Sequence, residues 1–327
     1  MSTTETTETT ETTETTALYD CRDAFAATVE QIAATDERVV AVVNDSVGSA
    51  KLGAFAARFP ERLINVGIAE QNQVGVAAGL EGGGRIPVVS CAGSFLSARA
   101  MEQVKIDAAY SYRHMVLAAQ SPGLAYGQLG STHHSAEDVA WMRVIPGMTV
   151  IVPADPVQTA AAVRWAIAEH DGPTYIRISR MKVPAVHAPD YSFTPGKATV
   201  LRQGQDLTIV SNGTALHRAL AAAAALEGQG VSVRVLSMAS VKPLDEQAVM
   251  DAARQTGRIV VAEEGMAAGG LGGAVAELVS AGHPVPVTRI GVPDVFAPTG
   301  SEEWLMDRFG ISAGGIAAAA RDLLKRG

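Results

Sequence analysis

Two apolar patterns alternate along the chain from Leu18 onward. Short unbroken runs rich in β-branched residues, such as Val39, Val40, Val42 and Val43 within Arg38–Asn44, fit strands buried on both faces. Stretches with apolar residues three and four apart fit helices, the first being Asp23–Ala34 with Phe25, Val29 and Ile32 on one side. On this reading strands fall at 38–44, 63–66, 86–90, 115–119, 149–152 and 174–178, separated by helices at 70–80, 98–109, 136–144 and 157–170. The pattern then breaks over Met181–Gly196, which holds Pro184, Pro189 and Pro195 and shows no periodicity, as an interdomain linker would. Alternation resumes with strands at 207–211, 231–236, 258–262 and 285–290 and helices at 216–227, 245–254 and 271–280. The expectation is α/β, with two doubly wound domains: residues 18–182, a linker at 183–198, and a smaller domain at 199–327.

Residues 1–17 differ from the rest. Their Thr-Thr-Glu repeat has no apolar face and reads as a solvated tail, of cloning origin or serving as a docking segment. The whole chain of 327 residues is 47% hydrophobic and 18% charged, enough to bury a large core and to exclude wholesale disorder. A net charge of −8 argues against a generally basic nucleic-acid-binding surface. Cys21 and Cys91 cannot make a disulfide framework or a four-Cys zinc site, and both read as packing residues. No apolar run suggests a membrane span and no basic-then-apolar start suggests a secretory signal, so a cytoplasmic protein is expected.

Candidate chemistry begins with Asn65–Gly79, NVGIAEQNQVGVAAG, where Glu70 follows a short strand and opens a helix. By itself that is a Glu favoured by the helix dipole. Three further stretches change its meaning: Ser90–Gln103 (SCAGSFLSARAMEQ), Gln120–Ser135 (QSPGLAYGQLGSTHHS) and Ile145–Asp155 (IPGMTVIVPAD). In this order and spacing the four resemble the pyrimidine-binding and C-terminal regions of transketolases, most closely the smaller subunit of split, two-chain forms. Deoxyxylulose-phosphate synthases share much of the pattern. The resemblance implies a pyrimidine-binding domain at 18–182 and a transketolase C-terminal-like domain at 199–327.

It also implies roles. Glu70 would bond a ring nitrogen of the aminopyrimidine of thiamine diphosphate and share a proton with it, in a dry site with Ile68 beside it that raises the carboxyl pKa. Phe95 would line the pyrimidine pocket. Where relatives carry more aromatics this chain has Ala98 and Met101, and Arg99 could lie on the ring face instead. His133 would face the substrate and shuttle protons. Arg180, Arg22 and Ser49 match the phosphate side. Ser121 and Leu129 stand where many transketolases have His and an acidic residue, and His134 where Gln is common, which points to an altered donor or acceptor. The Gly-rich Gly265–Gly273 resembles the C-terminal domain, where close helix packing explains the glycines, rather than a nucleotide loop.

No Gly-Asp-Gly, the family's diphosphate motif, occurs in the sequence. A large partner subunit is therefore expected to hold the diphosphate and its Mg2+ or Ca2+, in an α2β2 heterotetramer, with no metal held by this chain. The implied activity is transfer of a two-carbon ketol unit from a ketose, a sugar or sugar phosphate, to an aldose. The alternatives are the β subunit of another thiamine-diphosphate enzyme (a 2-oxo acid dehydrogenase or a pyruvate-using carboligase) and a non-catalytic structural subunit.

Overall fold

The computed structural model describes residues 17–326, so the repeat at 1–16 lies outside the described residues. Strands β1 (Val39–Val43), β2 (Leu63–Asn65), β3 (Ile86–Ala92), β4 (Val116–Gln120), β5 (Thr149–Ile151) and β6 (Thr174–Ile178) form one parallel sheet. Its order is β5-β6-β4-β3-β1-β2, with one further strand added beyond β5. Successive side chains point to opposite faces. Val39, Ala41 and Val43 pack under the helices Cys21–Ala33 and Pro156–Ala168, whereas Val42 and Val89 pack under the helix Glu70–Gly82 and the segment after β3. Both faces are covered, which is why the strands are continuous apolar runs.

The second sheet contains β7 (Thr199–Arg202), β8 (Leu207–Ser211), β9 (Val233–Ser237), β11 (Ile259–Met266) and β12 (Val287–Val292) in the order β12-β11-β8-β9-β7. Only its edge strand β7 runs antiparallel. The helices Leu216–Glu227 and Ala313–Leu324 cover one face, and Glu246–Thr256 and Leu271–Gly282 the other. No helix among the described residues is long and apolar enough to cross a membrane.

The structure departs from the expected elements in several places, the added edge strand β7 among them. The expected helix 98–109 instead starts at Phe95 and is π-wound over Phe95–Arg99 and Val104–Tyr110, with a short α-helical turn between. Strand β10 (Ser240–Lys242) lies in the second half of the sequence but pairs antiparallel with β5 at the edge of the first sheet. Segment 181–196 has no helix or strand, yet it is tied down. Val183 bridges to Tyr19, and buried His187 bonds Asp155 Oδ2 at 2.9 Å and Ser237 Oγ at 3.1 Å, one from each half of the chain. Finally, the helices Gly53–Arg58, Glu302–Arg308 and Ala313–Leu324 add to the expected set.

A buried polar cluster joins the halves. Arg177, at the end of β6, donates to both oxygens of Asp138 and to the carbonyls of Ser135 and, in β11, Glu264. Tyr175 donates its hydroxyl to Asp138 Oδ2 at 2.6 Å. The Glu264 carboxylate in turn accepts from Leu124 N at 2.7 Å and from the Thr214 hydroxyl. Leu124, Ala125 and Ala136 of the first half pack into the apolar core under the second sheet. In the Gly-rich stretch, the Glu263 carboxylate accepts from Leu271 N and Gly272 N, and a Cβ on Gly270 would clash with it. The helix start is thus filled by the chain's own carboxylate, and the glycines serve close packing.

Leaving Asp138 buried without its cation should be costly. Arg177→Met is expected to lower unfolding stability in urea by about 3–5 kcal/mol, and combining it with Asp138→Leu should recover much of that loss.

Candidate active site

The carboxyl ends of β1, β3, β4 and β6 carry, just beyond them, Asn44, Phe95, Ser121 and Arg180. In an open parallel sheet that edge is where ligands bind. Glu70 comes to the same edge from a tight loop after β2. Asn65 Oδ1 accepts from Gly67 N at 2.9 Å, Gly67 takes a φ of 73°, and the helix opens at Glu70. Gln73, one turn later, donates to the carbonyls of Val42 at 2.8 Å and Ser90 at 3.2 Å, which locks the helix onto β1 and β3.

Glu70 is 1% exposed. Asn44 Nδ2 donates to its Oε1 at 3.1 Å and Arg99 Nη1 to its Oε2 at 2.7 Å. Burial alone would raise its pKa, but the bond from Arg99, helped by a backbone bond and Asn44, holds the carboxyl below its ordinary 4.5. The raised pKa expected from sequence is therefore corrected: desolvation acts as foreseen, and a cation overrides it. The π-wound turn after β3 puts Phe95 and Arg99 on the same side, with the guanidinium 4.4 Å from the Phe95 ring centre.

From Phe95 a row of groups continues. The His133 ring is edge-on at 5.3 Å, and Tyr126 meets His133 at 5.7 Å. Arg180 lies 5.1 Å from the centre of the Tyr126 ring. Glu70, Arg99, Phe95, His133, Tyr126 and Arg180 thus form one connected wall. Thr132 Oγ1 is 3.0 Å from His133 Nδ1. The loop bearing His133 turns at Gly130, with φ 74°, where a Cβ would meet Thr299 Cγ2 at 2.7 Å, so only glycine suits.

The remaining expected residues are dispersed. Ile68 is 73% exposed beside Glu70. Arg22 is buried, forks onto Asp20 at 2.6 Å and donates to the Ser49 carbonyl at 2.9 Å, so its guanidinium is committed within the chain. Ser49 donates its own hydroxyl to the Ser46 carbonyl at 3.1 Å. Ser121 is fully buried at a φ of 52° behind the wall, and Leu129 is exposed on the loop. His134 points inward, and burial pushes its pKa down. Three wall or neighbour residues were not foreseen: Asn44, Tyr126 and Glu302, the last lining the same cavity as Tyr126 and Arg180. Asn44 ends an otherwise apolar strand and Tyr126 is the one aromatic in its Gly-rich loop, so both had a local signal.

Comparison with known proteins places both halves of the chain in one family. The transketolase pyrimidine-binding domain family matches residues 18–186, and the transketolase C-terminal domain family matches 196–316. The chain is 40% identical over 307 residues to an apulose-4-phosphate transketolase subunit of Phocaeicola vulgatus, covering 94% of this chain and 98% of that one. It is 40% identical to the 6-deoxy-6-sulfo-D-fructose transketolase subunit SqwH of a Clostridium species, covering 93% and 94%. A solved structure, described as a split gene transketolase in an inactive beta4 tetramer, superposes with a TM-score of 0.86 at 41% identity over 94% of this chain and 99% of that one. The 1-deoxy-D-xylulose-5-phosphate synthase of Syntrophotalea carbinolica is 38% identical, and the match covers 92% of this chain and 47% of that enzyme.

The ion pair on Glu70 has a pH signature. A carboxyl held below 4.5 contributes stability that is present above about pH 4.5 and is lost as pH falls through the lower folded-state value. Arg99→Met removes that contribution. With the cation gone, burial raises the carboxyl, so the deficit in urea unfolding should be full near neutral pH and shrink as pH falls through the interval from the variant's raised value down to the native lowered one.

Proposed function

Because the chain belongs to the transketolase family, we propose that it is the small subunit of a split transketolase, moving a two-carbon ketol unit from a ketose to an aldose. It would act with a larger chain, in an α2β2 assembly. The observation that carries this reading is Glu70, a carboxylate 1% exposed, fixed on one oxygen by Asn44 and approached on the other past exposed Arg99 and the Phe95 ring.

Thiamine diphosphate, when bound, supplies the carbon nucleophile and the electron sink for carbon–carbon cleavage. The residues on this wall fit its pyrimidine half: a flat aromatic face at Phe95, a buried acceptor at Glu70, and an exposed cation, Arg99, able to swing away. They offer nothing for the other half. Among the described residues no three His, Cys, Asp or Glu come together to hold an ion, and the sequence has no Gly-Asp-Gly. The partner would supply the diphosphate site and its Mg2+ or Ca2+.

Within this chain the work is proton control and positioning. While Arg99 is paired with it, Glu70 stays ionised. Once Arg99 yields its place to a ring nitrogen, burial pushes the carboxyl pKa back up and Glu70 is poised to hold and share a proton there. Asn44 keeps the carboxylate oriented through that change. With Thr132 at Nδ1, His133 has Nε2 left to trade a proton with a sugar hydroxyl. Arg180 would take an anionic group at the far end of the sugar. Two relatives are named for apulose 4-phosphate and 6-deoxy-6-sulfo-D-fructose, which makes sugars with an anionic end the donors to try first.

The test is reconstitution with a large chain carrying the diphosphate motif. The assembled pair should transfer a ketol unit between sugars, the lone chain should not, and Glu70→Gln should cut turnover by about 10²–10⁴-fold without disturbing assembly. Full activity of Glu70→Gln, turnover by the lone chain, or use of pyruvate in place of a ketose would each overturn the reading.

A further inference from the structure

At the Arg180 end of the wall lies a cavity of about 370 Å³. Both domains build it. The first contributes 125–129 and Arg180, the second Gly300, Ser301 and Glu302. The two loops are joined through their backbones: Gly300 N donates to the Gly127 carbonyl at 3.1 Å, and Ser131 Oγ to the Ala297 carbonyl at 2.8 Å. A Cβ on Gly127 would come within 2.5 Å of the Gly300 carbonyl, so the second-domain loop is a fitted wall of the cavity.

Arg180 and Glu302 are the charged residues lining it, both half-buried. Neither makes an ion pair among the described residues, so each keeps its hydrogen-bonding capacity for a ligand. The neighbouring charges are already spoken for. Arg22 is paired with Asp20 at 2.6 Å, and Glu303 with Arg218 at 2.5 Å. Burial holds the Glu302 carboxyl above its ordinary range, while Arg180 and Arg22 draw it the other way. An arginine fork suits one anionic group. A carboxylate opposite it can only accept, so it favours sugar hydroxyls and opposes further negative charge.

We propose that Glu302 is a specificity-determining residue lent by the second domain, and that with Arg180 it selects sugars whose far end is hydroxyl-rich and carries one negative charge rather than the two of a phosphate. This rests on the ketol-transfer reading above.

The experiment uses the assembled pair at about pH 8, with fructose 6-phosphate and 6-deoxy-6-sulfofructose as donors on one carbon skeleton, charged twice and once. The wild type should show the lower KM for the sulfonate. Glu302→Gln should reduce the phosphate-to-sulfonate KM ratio by about three- to tenfold. Calorimetric titration of the full chain with inorganic phosphate gives a second measurement, in which Glu302→Gln should bind more tightly by a similar factor and Arg180→Met should lose binding. An unchanged or increased KM ratio, or phosphate binding insensitive to Glu302→Gln, overturns the proposal even if sugars are turned over. If the wild-type pair transfers no ketol unit, the functional reading fails, and the phosphate titration alone still decides the role of Glu302.

Discussion

Arg177 is the point on which the arrangement rests. It ends a strand of the first sheet, is 5% exposed, and spends its fork on Asp138 and on carbonyls from the Ser135 loop and from β11 of the second sheet. A guanidinium this deep is tolerable because each of its three nitrogens has an acceptor. Satisfying it fixes three things together: the start of the helix at Asp138, the position of β11, and the end of the loop carrying Tyr126 and His133. Glu264 secures the beginning of the same loop through Leu124. The wall of the site is therefore held at both ends by polar groups that belong to the joint between the domains.

The site itself combines a rigid and a loose part. Glu70, Asn44 and Gln73 are buried and tied to strand ends, whereas Arg99 covers the carboxylate from a solvent-exposed position. A buried carboxylate needs a counter-charge or a proton, and Arg99 fills that need without occupying the interior. Phe95 and Arg99, four residues apart on the π-wound turn after β3, share one side of it.

Much of this was legible in the amino-acid sequence. The Val-rich runs located the main strands because a strand buried on both faces leaves no other pattern, and the GIAEQN segment located Glu70. What escaped notice depended on contacts between distant residues. Strand β10 is three residues long and pairs with β5, about ninety positions earlier, so no local period marks it. The low pKa of Glu70 depends on Arg99, 29 residues away, and on which way one flexible side chain turns. Glu302 reaches its cavity from the other domain and has no signature at all. Asn44 and Tyr126 were readable, one as a polar end to an apolar strand and the other as a lone aromatic among glycines.

The position of β10 has a further consequence. By sequence the chain splits cleanly at its proline-rich segment, but in space the second half closes the edge of the first sheet at β5 and takes Leu124 and Ala125 into its own core. Severed there, the first half would present an uncapped strand edge of the kind that invites aggregation. The second would lose part of its apolar filling. The two halves thus depend on each other for their packing. Loops at the seam can change at little cost to either core, whereas removing one half costs the other a covered edge or part of its filling.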